Sequence, residues 1–102
     1  MATRQKCIPM LKALADETRW RIVRELLAAP ATVNGITDRI GVSQYNVSRH
    51  LTILESAGIV EKKRDGKHVI CQVTPAFRQQ LSRDKNILDL GCCTFRFDEP
   101  PS

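Results

Sequence analysis

Between positions 43 and 50 the chain reads Ser-Gln-Tyr-Asn-Val-Ser-Arg-His, a run in which nearly every side chain can donate or accept a hydrogen bond. Gln44 and Asn46 each carry a donor beside an acceptor, the pattern that pairs bidentately with adenine, and Arg49 offers the matching fork to guanine. Ser43, Ser48 and the free amides of a helix start can hold phosphate. Tyr45 and His50 complete the run. A second concentration follows at Lys62, Lys63, Arg64, Lys67 and His68, a set suited to gripping a polyanion without reading its sequence. The third is sulfur. Cys7, Cys92 and Cys93 could offer up to three thiolates to a soft ion such as trivalent arsenic or antimony.

These groups need scaffolding, and the periodicity of the apolar residues supplies it. Val47, Leu51 and Leu54 recur at helical spacing, so a helix from Ser43 to about Ser56 buries that stripe. Gln44, Tyr45, Ser48 and Arg49 then face outward, with Asn46 and His50 on the flanks. Thr32 caps a shorter helix through Ile40, with Val33, Ile36 and Ile40 inward, and Gly41 permits the tight left-handed turn between the two. Two helices joined this way, over residues 33–56, form a helix-turn-helix. Ahead of them the spacing predicts helices over about Ile8–Ala15 and, capped by Asp16, up to about Ala29, where Pro30 bars continuation.

Two β-prone runs, Ile59–Arg64 and Lys67–Val73, flank Asp65-Gly66, a strong hairpin signal in which both turn residues take positive φ. The cationic cluster sits at the tip of this hairpin, over residues 59–73. Val69, Cys71 and Val73 alternate onto one face, which makes Cys71 a packing residue. A short helix is expected from Pro75 to about Leu81, resuming toward Leu90. In the tail, Cys93, Phe95 and Phe97 alternate with polar residues, and residues 91–98 read as a strand. The fold class that results is mainly α with one small β-hairpin: a winged helix-turn-helix with a short C-terminal strand, organised as a single domain over residues 1–102.

Composition agrees with a soluble domain that meets a polyanion. The 102 residues carry a net charge of +5, which favours nucleic acid or an anionic surface. No apolar run approaches the roughly 18 residues of a membrane span, and the charged N-terminus has no signal-peptide core. A cytoplasmic location without membrane contact follows, where cysteines stay thiols.

The strings LKALADETRWRIVRELL and IGVSQYNVSRHLTILESAGIVEKKRDGKHVICQV resemble the ArsR/SmtB family of winged-helix regulators over about residues 8–74. The resemblance implies a homodimer on a near-palindromic double-stranded operator, and a repressor released by a metal, metalloid or other inducer. It assigns major-groove contact to Ser43, Gln44, Tyr45, Asn46, Ser48, Arg49 and His50, and wing contact to residues 62–68. It also implies a dimer built by the first and C-terminal helices, the latter short here.

The family's inducer sites are only partly matched. Where many members place a Cys-x-Cys pair, this chain has Thr32 and Asn34, which cannot replace thiolates. Asp84 and Asp89 lie in the C-terminal region, but the only histidines are His50 and His68, so a zinc or nickel site there lacks its ligands. The tail cysteines carry three open readings: packing at a dimer seam, a soft metalloid site with Cys7, or a redox switch. Adjacent strand residues point to opposite faces, so Cys92 and Cys93 grip one ion only if the chain turns near Gly91. With no Cys-x-x-Cys motif and no base beside the pair, a thiol enzyme is not expected. The remaining alternatives to an inducible repressor are a redox-sensing or inducer-independent regulator and a winged helix used for protein contacts.

Overall fold

The computed structural model of the chain describes residues 2–81, 87–89 and 94–96. It begins with α1 (Ala2–Leu14) and α2 (Glu17–Ala28), then a two-residue strand β1 (Ala31–Thr32), α3 (Val33–Ile40) and α4 (Gln44–Ser56). The hairpin strands β2 (Val60–Asp65) and β3 (His68–Val73) follow, then α5 (Pro75–Gln79), β4 (Ile87–Asp89) and β5 (Thr94–Arg96).

Side-chain caps set where the helices begin. Asp16 accepts from the Arg19 amide at 3.0 Å, Thr32 from Gly35 at 3.1 Å, Ser43 from Asn46 at 3.3 Å and Thr74 from Phe77 at 3.2 Å. Each occupies one of the amide donors that a helix start leaves unpaired. Gly41 ends α3 in the left-handed region at φ 70°, its amide returning to the Thr37 carbonyl at 2.9 Å. A side chain there would meet strain that glycine avoids.

The apolar faces of these helices converge. Ile22, Val23 and Leu26 of α2, Ile36 of α3 and Val47, Leu51 and Leu54 of α4 are fully buried. The stripes read from periodicity on α2, α3 and α4 therefore build one core, closed below by Ile59, Val60, Cys71 and Phe77. β3 lies between β1 and β2 in an antiparallel sheet, with Val60 opposite Val73 and Lys62 opposite Cys71.

Five details differ from the sequence reading. Helix α1 starts at Ala2 rather than Ile8, running through Pro9; the apolar spacing that announced the helix begins only at Ile8, and the polar turns before it carry no such signal. β1 is an unexpected strand, too short for any periodicity, that pairs Ala31 with Cys71 and Thr32 with Ile70. The hairpin turn is Gly66-Lys67, not Asp65-Gly66, because Asp65 stays in the ladder opposite His68. Gly66 takes φ 64° as the first central residue, the place a two-residue hairpin loop reserves for glycine. Val69 shares the face of Cys71 but lies beyond the core's edge, 38% exposed.

The fifth concerns the C-terminal region. α5 stops at Gln79; of the expected resumption toward Leu90, residues 82–86 and 90 lie outside the described residues, and 87–89 form β4, whose Leu88 is fully buried and bridges to Leu81. Pairing with β5 places Leu88 opposite Phe95, so a strand satisfies this segment's backbone where a lone helical turn would leave it open. β5 falls inside the strand read over residues 91–98.

Candidate nucleic-acid interface

Helix α4 owes its two-sided character to its stripe. With Val47, Leu51 and Leu54 fully buried, the opposite face is left to water, and there Gln44, Tyr45, Asn46 and Arg49 are exposed. Tyr45 is the extreme case, an aromatic ring 70% exposed. The Arg49 guanidinium lies 5.8 Å from the centre of that ring, a cation–π arrangement that steadies a long side chain without consuming its fork of donors. Ser43 holds the helix start through its oxygen and keeps its own proton to donate. Ser48 is half-buried on the flank, its carbonyl accepting from the Thr52 hydroxyl at 3.1 Å. A helix of about 10–12 Å diameter presenting this face fits the major groove of B-form DNA.

His50 differs from its neighbours. It is half-buried, and its Nδ1 meets the Arg19 guanidinium at 3.1 Å. The structure thus ties His50 to α2 by one nitrogen and leaves Nε2 for other partners. Arg19 is a residue that sequence reasoning missed. Its Nε donates to the Ala13 carbonyl at 2.6 Å and its Nη2 to that of Lys12 at 3.4 Å. Asp16 faces the same group: burial raises its carboxyl pKa, but the Arg19 amide bond and the Arg19 and His50 charges outweigh that and hold it below its ordinary value. The signal available in the sequence was the i, i+3 spacing of Asp16 and Arg19; the meeting with His50 needed the tertiary fold.

The wing cations are not equivalent. Lys62 lies on the inward strand face opposite Cys71 and reaches back to Glu55, 3.9 Å away in the last turn of α4. Lys63 faces outward beside Glu61 at 3.9 Å. Arg64, Lys67 and His68 surround the turn, all exposed, and among the described residues no carboxylate lies within ion-pair distance of them. Lys62 is therefore partly neutralised by α4, while the tip presents the unneutralised charge of Arg64 and Lys67. The wing's base is closed by Thr74, whose hydroxyl donates to the Gly58 carbonyl at 2.8 Å.

The sulfur groups separate as well. Cys71 is fully buried with a free thiol; burial pushes its pKa up, and nearby Glu55 adds to this against the opposing pull of Lys62. Cys7 belongs to α1, and Cys92 and Cys93 lie outside the described residues. Among the described residues, no three His, Cys, Asp or Glu side chains gather as a metal site, and no helix is long and apolar enough to cross a membrane.

Comparisons with known proteins place this geometry. A helix-turn-helix domain family matches residues 14–63. The chain is similar to the transcriptional repressor SmtB of Mycobacterium tuberculosis, 39% identical over 61 residues that make up 60% of this chain and 45% of that protein. It thus matches less than half the length of that relative. It is also 39% identical over 90 residues to a probable mercury resistance operon repressor of Streptomyces lividans, covering 81% of this chain and 71% of that one. Among solved structures, it superposes with a TM-score of 0.67 on the homodimeric winged helix-turn-helix DNA-binding domain of a Mycobacterium bovis protein, at 28% identity over 71% of this chain and 67% of the other.

Proposed function

The chain belongs to the ArsR/SmtB family of winged helix-turn-helix regulators, and from that premise we propose that it is a cytoplasmic homodimeric transcriptional regulator, a repressor that binds an inverted-repeat operator. The observation that carries the proposal is α4: a fully buried stripe of Val47, Leu51 and Leu54 beneath an exposed face of Gln44, Tyr45, Asn46 and Arg49. Bases are read by that face, and the charge at Arg64 and Lys67, with the His68 ring beside them, holds backbone phosphate. A second copy is favoured by apolar surface on α1 and at the end of α4 beside it, where Ile8 is 58% and Ile53 43% exposed.

Footprinting on the DNA upstream of the protein's own gene tests this. Two protected half-sites with centres about 34 Å apart are expected, as a two-fold dimer dictates. Coverage without sequence preference at moderate salt would overturn it, as would a monomer by sedimentation at micromolar concentration.

The inducer reading rests on the donor chemistry of Cys7, Cys92 and Cys93, since thiolates select thiophilic ions. The mercury resistance in the name of the Streptomyces relative is of the same chemical kind. Trivalent arsenic or antimony bound by these thiolates would release the operator.

A further inference from the structure

Three arginines converge between α2 and α3 on a place outside the α4 face and wing described above. Arg21, Arg24 and Arg39, with Glu25 and Ile40, line an open cleft of about 270 Å³ between α2 and the end of α3. Like charges repel, and a fold with nothing to gain would disperse them or pair them. Lys62 and Lys63 show the pairing solution, each within 4.0 Å of a carboxylate. The cleft arginines have none within that distance among the described residues, although Glu25 belongs to the same lining.

Two of the three are also held in place. Arg21 Nη2 donates to the Ile40 carbonyl at 3.3 Å, at the C-terminal end of α3, where the helix dipole favours a cation. The Arg24 guanidinium sits 5.4 Å from the centre of the Trp20 ring, whose side chain is buried. Guanidiniums steadied by a carbonyl and a ring have less entropy to lose when an anion arrives, and their planar forks match the oxygens of a phosphoryl group.

The geometry points to a phosphoryl-anion site in this cleft, formed by Arg21, Arg24 and Arg39. Its position suggests the first of two sources. Ile40 precedes Ser43, the cap of α4, by only three residues, so the cleft stands within about 10 Å of chain of the helix that meets DNA. A backbone phosphate beside the major groove is one occupant, and this half rests on the function proposed above. A free phosphorylated small molecule is the other, with the same chemistry and no dependence on DNA.

The test uses the full chain and the variants Arg24→Gln, Arg39→Gln and Glu25→Gln, with Lys12→Gln as a charge control and thermal melting as the check on folding. DNA affinity is measured by fluorescence anisotropy across a salt series, and pyrophosphate binding to the DNA-free protein by calorimetry. If the occupant is DNA backbone, Arg24→Gln and Arg39→Gln each weaken operator and unrelated DNA alike, by about two- to fivefold. Each also flattens the salt slope by about one unit, while Glu25→Gln tightens binding and Lys12→Gln changes little. If it is a free ligand, pyrophosphate binds the DNA-free protein, the arginine variants lose that binding, and the DNA salt slope stays put. Pyrophosphate binding in a protein that fails to bind any DNA would leave this site standing and remove the function proposed above. Arginine variants indistinguishable from Lys12→Gln in both measurements would overturn the inference.

Discussion

Arg19 and His50 are 31 residues apart in the chain and 3.1 Å apart in the fold. A guanidinium has donors only, so the imidazole Nδ1 must accept, and a neutral His50 carries its proton on Nε2. Through the same side chain the end of α1, the start of α2 and α4 are joined at one point. The orientation of α4 against the rest of the core is thereby linked to the Ala13 and Lys12 carbonyls.

Arg19→Ala should therefore cost stability as well as binding. It removes charged hydrogen bonds to two carbonyls and an imidazole, and a loss of about 1–3 kcal/mol in urea denaturation is expected. His50→Ala should cost less, because Arg19 keeps its carbonyl partners. In the double-mutant cycle the pair should show a coupling of about 0.5 kcal/mol or more. Strictly additive losses would mean that the contact contributes nothing.

Asp16 gives the pH dependence. Its folded pKa lies below the ordinary 3.8, so its carboxylate contributes stability that is present above pH 3.8 and is lost as pH falls through the lower folded value. Asp16→Asn retains an N-cap acceptor while removing the charge. At neutral pH the variant should be less stable by no more than about 1 kcal/mol, since the side chain is partly exposed and screened. Stability curves of the two proteins should converge as pH drops below 3.8; curves that stay parallel would show that the charge is immaterial.

Much of the architecture was legible because it rests on local rules. Asp16, Thr32 and Ser43 announce helix starts, Gly41 announces an end, and the spacing of Val47, Leu51 and Leu54 decides which side of α4 is inside; the structure keeps all of these. The exposure of Gln44, Tyr45 and Arg49 followed from the same arithmetic, but Ser48, read as outward, is half-buried and Asn46, read as a flank residue, is exposed. What escaped depends on partners distant in sequence or on very short elements. β1 exists only because β3 is beside it. The turn at Gly66-Lys67 rather than Asp65-Gly66 is a one-residue matter of ladder register. The division of the wing into Lys62, bound to Glu55, and a tip of Arg64, Lys67 and His68 depends on strand facing. Arg19 at His50 and the arginine cleft depend on helix packing, which no window along the chain displays.

The reading of α4 and the wing predicts two kinds of loss. Arg49→Ala should reduce discrimination at one base pair per half-site by about 1–3 kcal/mol, with little change on unrelated DNA. Lys67→Ala, at the turn itself, should weaken operator and unrelated DNA equally and lower the salt slope by about one unit. Binding titrations on operator, single-base variants and random DNA at several salt concentrations check both. The same profile from both variants would remove the distinction between a base-reading helix and a phosphate-holding wing.

The cysteines should divide by accessibility and by role. Cys71 is fully buried and its thiol pKa is raised, first by burial and then by Glu55, so little thiolate exists to react at neutral pH. In the folded protein Cys71 should resist iodoacetamide, with labelling appearing only on denaturation; rapid labelling of the native protein would contradict its place in the core. The raised pKa also means that stability is complete below the ordinary 9.0 and declines as pH rises past it. On the inducer proposal, release by arsenite is expected to depend on the other three thiols. Cys92→Ser or Cys93→Ser should abolish release while leaving operator binding intact, because an inducer acts only through its differential affinity for the DNA-bound and free forms. Cys7→Ser tests whether the third ligand comes from α1. Cys71→Ala, the core control, should lower the melting temperature and leave the arsenite response unchanged. If arsenite has no effect on operator binding at low micromolar levels (the range that the three-thiolate reading requires) while Cys92→Ser or Cys93→Ser weakens dimerisation, the pair serves packing at the dimer seam instead.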